Sequence, residues 1–306
     1  MQLGLGNLVR SVPEAHIDGA LAFYATRPAG RGPDNAEELR TVRARRATPN
    51  TTAADTTAVD KVVEADGSQV AVRIIGPPDF SPQGVHLSLH GGGFYMGAAA
   101  DDDVRNRRIS ESLGVAVVSV DYRLAPEEPW PAAPDDCETA ALWLIENSEV
   151  YFGTTQLTIG GFSAGSTLAM TTLLRLRDRG LSHAFTGAAL QFGTYDLSSL
   201  TPAGRLIADE YFLQAYVGHL EDRTLPNISP IYADLHDLPP TLLVVGSEDV
   251  LLEDNLAMAV RLSAAGGDVD LRVYPASPHG FTSHPTAVAA TALEDIELWL
   301  ADRLQH

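Results

Sequence analysis

A chain of 306 residues is long enough for one large α/β domain with a small accessory layer, and too short for several independent enzymes. Its 21 Lys and Arg against 40 Asp and Glu leave a net charge of −19, which repels phosphate backbones and anionic lipid surfaces at long range and excludes nucleic acid as an expected partner. An apolar share of 45% supports a sizeable core and argues against disorder.

From Pro13 to Ala47, apolar residues at helical spacing (Ala15, Ile17, Ala20, Leu21, Phe23, Tyr24) and then a charged segment from Glu37 to Arg43 predict two helices, separated by the Gly- and Pro-rich stretch from Arg27 to Pro33. Val59 to Glu64 and Val70 to Ile75 flank Ala65-Asp66-Gly67-Ser68, a hairpin signal. Short apolar runs then alternate with helical segments. The runs are Val85 to Leu89, Val115 to Val120, Leu157 to Ile159, Gly187 to Phe192, Leu242 to Val245 and Leu271 to Tyr274. The helices are Asp103 to Leu113, Pro134 to Asn147, Ala164 to Arg179, Leu252 to Ala265 and Pro285 to Leu304. This alternation predicts an α/β fold, a mainly parallel sheet covered on both faces. Asp196 to Tyr232 carries no strand signal, holds Tyr211, Phe212 and Tyr216 at helical spacing, and is expected to form a lid.

Cys137 is the single cysteine, in an acidic stretch that disfavours its thiolate, and a reducing compartment is expected. The first residues lack a basic start, an apolar run and a small-residue cleavage site, and no apolar run elsewhere is long enough to span a membrane. The expectation is a cytoplasmic protein with no membrane partner.

The strongest chemical signal is Gly161-Phe162-Ser163-Ala164-Gly165, a G-x-S-x-G pattern between a strand and a helix. The motif needs that context, because a sharp turn lifts the serine hydroxyl above the sheet. Ser163 is therefore the candidate nucleophile, against the bland alternative of a helix N-cap. A serine hydroxyl needs a base, and the base an orienting acid. His279, in Ser277-Pro278-His279-Gly280-Phe281 after the last strand, is the candidate base; the alternative is a histidine capping the last helix. Asp249, just past the run Leu242 to Val245, is the candidate acid, in competition with Glu248, Glu253 and Asp254. The order Ser163, Asp249, His279 is the one an α/β-hydrolase scaffold requires. After Val85 to Leu89 comes His90-Gly91-Gly92-Gly93, where glycines let backbone N–H groups approach a substrate oxygen. Gly92, Gly93 and Ala164 are the candidate oxyanion hole, and His90 is expected to pin its loop rather than act as a base.

These stretches, with Val118 to Glu127, Trp130 to Ala133, Ser229-Pro230, Leu238 to Pro240 and Asp249 with Leu251, resemble the bacterial hormone-sensitive-lipase-like esterases of the α/β-hydrolase superfamily. The resemblance implies an eight-stranded, mostly parallel sheet and one domain spanning the chain, with a helical cap from about residues 1–50 and about 196–232. It also implies hydrolysis of short- to medium-chain carboxylic esters through an acyl-enzyme, with no cofactor or metal. The segment from Asp121 to Glu127 is expected to brace the oxyanion loop. Edge-strand dimers are common among such esterases, so a monomer or a homodimer is expected. The chain departs from the usual G-D-S-A-G-G at Phe162 and Ser166, and Glu253 stands where an aspartate is frequent. Phe94, Tyr95, Phe162, Phe212, Tyr216 and Phe281 are candidate substrate contacts, although each could equally be core. Two other readings share the scaffold: a lactone or activated-amide hydrolase, and a non-catalytic ligand-binding protein.

Overall fold

The computed structural model describes residues 8–27, 32–46, 57–79 and 81–304. The hairpin is β1 (Val59–Ala65) and β2 (Ser68–Ile75), turning at Asp66 and Gly67, whose φ values of 52° and 75° suit a two-residue connection. The remaining strands are β3 (Val85–Leu89), β4 (Ala116–Val120), β5 (Leu157–Phe162), β6 (Phe185–Gln191), β7 (Thr241–Gly246) and β8 (Val269–Tyr274). They form one eight-stranded sheet in the order β1-β2-β4-β3-β5-β6-β7-β8. Pairing is antiparallel at β1/β2 and β2/β4 and parallel elsewhere. β3, β4 and β7 are buried along their whole lengths, which is why they read as unbroken apolar runs rather than alternating ones.

Helices cover both faces. α3 (Asp103–Leu113) and α9 (Ala287–Leu304) pack on one side; α4 (Ala132–Phe152), α5 (Ala164–Asp178) and α8 (Leu252–Ala264) pack on the other. α4 extends beyond the expected Pro134 to Asn147, because Val150, Tyr151 and Phe152 continue the helix until Gly153 ends it in the left-handed conformation at φ 76°. β8 begins two residues earlier than expected: Asp270 and Arg272 are polar, but they pair with each other at 2.6 Å on this edge strand.

α1 (Glu14–Ala25) packs against α9, and α2 (Ala36–Arg46) is tied to the loops that follow β3 and β4. Arg43 donates to the Tyr95 carbonyl at 2.8 Å, to the Ala125 carbonyl at 2.5 Å and to Glu127 at 2.8 Å. The turn expected between these helices falls largely outside the described residues, as do positions 1–7 and 47–50. Residues 196–232 contain no strand, as expected, and form α6 (Pro202–Arg205) and α7 (Tyr211–Val217). Thr201 caps α6, its hydroxyl accepting from the Gly204 N–H at 2.9 Å, with Pro202 opening the helix. Among the described residues no helix is long and apolar enough to cross a membrane.

Candidate active site

β5 ends at Phe162 and α5 begins at Ala164, so Ser163 alone makes the turn, at φ 53° and ψ −123°. Few L-residues adopt that backbone, and it survives because the neighbours enforce it. A Cβ at Gly165 would collide with the Leu89 and His90 carbonyls, so only glycine lets α5 start this close to the end of β3. The N-cap alternative for Ser163 does not hold: its side chain makes no cap hydrogen bond. Its hydroxyl lies 3.0 Å from His279 Nε2 instead.

His279 follows β8, and its Nδ1 is 3.1 Å from both carboxylate oxygens of Asp249, which follows β7. A carboxylate only accepts, so Nδ1 carries the proton and Nε2 is left to accept from the Ser163 hydroxyl. Asp249 is wholly buried at its side chain while His279 is 37% exposed, so the carboxylate is shielded and the imidazole faces the cavity. The Leu251 N–H donates to Asp249 at 2.8 Å, and Phe192 packs edge-on against the imidazole at 5.1 Å. The competing acids are otherwise engaged or placed. Asp254 accepts from the backbone N–H groups of Tyr195 at 2.5 Å and Asp196 at 3.2 Å, Glu248 accepts from the Ser247 hydroxyl at 3.2 Å, and Glu253 sits in the first turn of α8. Burial pushes the Asp254 carboxyl up to about 7.

Parallel pairing of Leu89 with Gly161 sets the end of β3 beside the Ser163 turn. Gly92 there has φ 122°, and a Cβ would strike the Met96 carbonyl. The N–H groups of Gly92, Gly93 and Ala164 have no protein acceptor among the described residues, and all three residues line the same cavity. His90 donates from Nδ1 to the Gly91 carbonyl at 2.8 Å and stacks on Tyr122 at 4.0 Å; the Tyr122 hydroxyl donates to the His90 carbonyl at 2.8 Å. Burial lowers the His90 pKa, and the bond to the Gly91 carbonyl with the stack on Tyr122 fits a ring that pins its loop. Asp121 accepts from the Ala99 N–H at 3.0 Å, bracing the far end of the loop.

The cavity holds about 520 Å³, with Ser163 and His279 in its lining. Phe94, Tyr95, Phe162 and Phe212 are among the residues that line it. Tyr216 and Phe281 are not, and those two expectations are corrected. Tyr216 stacks flat on Phe94 at 4.0 Å behind the wall, and Phe281 is fully buried against Phe192 and Tyr274. Sequence reading could not separate them, because an aromatic at helical spacing serves a core as well as a pocket. It also missed Phe192, Thr194, Ile207 and Val250, which line the cavity from turns and loops with no motif of their own, and Asp101 and Asp102 in the short 3-10 helix Ala99–Asp102. Phe162, the departure from the usual acidic residue, carries the Arg105 guanidinium 4.5 Å from its ring centroid. Ser166, the other departure, is buried with its hydroxyl 3.0 Å from that of Tyr195.

The sequence profile of the α/β hydrolase fold matches residues 86–283. Carboxylesterase NlhH of Mycobacterium tuberculosis is 32% identical over 250 residues, covering 76% of this chain and 78% of that esterase. A bacterial heroin esterase superposes with a TM-score of 0.83 at 27% identity, covering 95% of this chain and 99% of that one. The chain is also 33% identical over 241 residues to the FAD-linked oxidoreductase pytB of Aspergillus terreus, covering 73% of this chain but only 29% of that protein's length.

Proposed function

The chain belongs to the α/β-hydrolase fold family, among its hormone-sensitive-lipase-like esterases, and from that premise we propose that it is a serine carboxylesterase acting through Ser163, His279 and Asp249. The observation that carries the reading is the unbroken relay from Ser163 Oγ to His279 Nε2 at 3.0 Å and from His279 Nδ1 to Asp249 at 3.1 Å, opening on a cavity lined by free backbone donors. His279 removes the Ser163 proton as the oxygen attacks the ester carbonyl. The N–H groups of Gly92, Gly93 and Ala164 receive the developing oxyanion. His279 then protonates the departing alcohol, leaving an acyl group on Ser163. Water, deprotonated by the same imidazole, attacks that acyl group and releases the acid. Asp249 holds the tautomer and stabilises the imidazolium without taking its proton.

Residues of the N-terminal stretch up to about 50 and of 196–232 serve as a cap over this site; Gly32, Ile207 and Phe212, which line the cavity, and the Arg43 bonds to Tyr95 and Ala125 support that role. A cavity of this size suits short- to medium-chain acyl groups, with Phe94, Tyr95, Phe162 and Phe212 in contact with substrate. The unpaired, buried Cys137 fits a reducing cytoplasm, and the oligomeric state is monomer or homodimer, which sedimentation distinguishes. The functional test is a panel of p-nitrophenyl esters from acetyl to long-chain with wild type and Ser163→Ala. Turnover of the shorter esters that vanishes in the variant is expected; an inactive wild type or a fully active variant would sink the proposal.

A further inference from the structure

Ser163 and His279 stand on separate loops, and one residue bonds to both loops. Gln191 ends β6 in register with Phe162 on β5, and its carbonyl accepts the Ser163 N–H at 2.9 Å. Its side-chain oxygen accepts from the Thr282 hydroxyl at 3.0 Å and from the Arg105 guanidinium at 3.5 Å. Thr282 lies just beyond His279, in the short 3-10 helix Phe281–Ser283. The turn that carries His279 is closed by the Phe281 N–H on the Pro278 carbonyl at 3.2 Å and the Ser283 N–H on the Gly280 carbonyl at 3.0 Å, so what holds Thr282 also holds the imidazole. Arg105, on α3, donates to the Thr282 hydroxyl at 2.9 Å. A guanidinium only donates, so the donors run in one direction, from Arg105 to Thr282 to Gln191, and each finds an acceptor. Gln191 and Thr282 are buried, where a broken bond leaves a polar atom stranded. Phe162 completes the arrangement. It stands where an acidic residue is usual, and its ring carries the guanidinium at 4.5 Å without using its N–H groups, which a carboxylate there would draw away from Thr282 and Gln191.

We propose that Gln191, Thr282 and Arg105 form a positioning brace that sets the spacing of Ser163 Oγ and His279 Nε2, with Gln191 as its joint. It rests on the serine carboxylesterase reading above and adds positioning residues to it. None of the three is among the residues that line the cavity, so their effect on turnover passes through the 3.0 Å contact of Ser163 with His279 and leaves ester binding alone.

The test follows p-nitrophenyl butyrate hydrolysis per folded molecule in Thr282→Val and Gln191→Met, which break the same bond from its two ends, and in their double variant. Each single variant is expected to lose about tenfold in kcat with KM unchanged, the double variant no more than either, and Thr282→Ser to return to within about twofold of wild type. A kcat that holds in either single variant, whatever happens to KM or to the urea midpoint, marks packing alone and overturns the brace while the esterase reading stands. Losses that multiply in the double variant, or a Thr282→Ser as slow as Thr282→Val, do the same. A wild type that turns over no ester overturns the esterase reading and the brace with it. Should the Thr282 or Gln191 variants not fold, Arg105→Lys decides, because it keeps the charge but not the planar fork. A kcat lowered about threefold or more at unchanged KM is then expected, and a wild-type kcat overturns the brace.

Discussion

The floor of the cavity consists of residues one to five places beyond strand ends, Gly92 and Gly93 after β3, Ser163 after β5 and His279 after β8, with Asp249, three places beyond β7, buried behind His279. Its upper wall comes from Gly32, Ile207, Glu210 and Phe212, contributed by segments separated by more than 170 residues of chain and held to the loops after β3 and β4 by side-chain contacts. The floor is held by backbone. Register between β3 and β5, a positive φ at Ser163 and close carbonyl packing at Gly165 leave little freedom. The wall is held by contacts such as Arg43 to Tyr95 and Tyr216 on Phe94, which can be lost one at a time. Geometry set by backbone tolerates no error in the chemistry, while a wall held by side chains can vary with substrate. Floor lesions should therefore abolish turnover, and wall lesions should shift KM or stability.

The sharpest way to break this contrast is at the acid. Asp249→Asn should cost about 10⁴-fold in kcat through the wrong imidazole tautomer, whereas Glu253→Gln, four residues on, should leave turnover near wild type. Equal losses in steady-state assays would reverse the assignment. Gly92→Ala combines a strained φ of 122° with a clash against the Met96 carbonyl, displacing a proposed oxyanion donor. A loss of about 10²- to 10³-fold in kcat is expected, with KM little changed. On the wall, Arg43→Ala releases α2 from the Tyr95 and Ala125 carbonyls and should raise KM by about three- to tenfold while kcat holds. A kcat collapse in that variant would show that the wall shapes the chemistry after all.

The smallest effect lies where wall and floor meet, at Asp254, which anchors the loop carrying Phe192 and Thr194. Its folded-state value of about 7 is above the ordinary carboxyl value of 3.8, so between these the folded protein binds more protons than the unfolded chain. Its contribution to stability is present in full at low pH and is lost as pH rises through about 7. Urea midpoints measured across that window should fall with pH in wild type, and the fall should be shallower in Asp254→Asn. Parallel slopes would remove Asp254 as the cause.

The same contrast explains what could be read from the sequence. Ser163, Gly92, Gly93, Asp249 and His279 were legible because turns at strand ends demand particular residues at set offsets. α3, from Asp103 to Leu113, was legible in full because Gly114 ends it in the left-handed conformation at φ 64°. The wall was not legible. Phe94 and Tyr216 form one stacked pair, yet only Phe94 touches the cavity, and no periodicity tells the two sides of a ring stack apart. β5 runs to Phe162, beyond the expected Ile159, because Gly160 and Gly161 have no strand preference and are held in line by β3 and β6 on either side.

The central claim, that Ser163 takes the acyl group, is tested most directly by reacting the wild-type protein with diethyl p-nitrophenyl phosphate and mapping the modified peptide by mass spectrometry. A single diethylphosphoryl group on Ser163, appearing in proportion to the loss of esterase activity, is the expected result. Modification of another residue in step with inactivation, or full activity after complete labelling of Ser163, would contradict it.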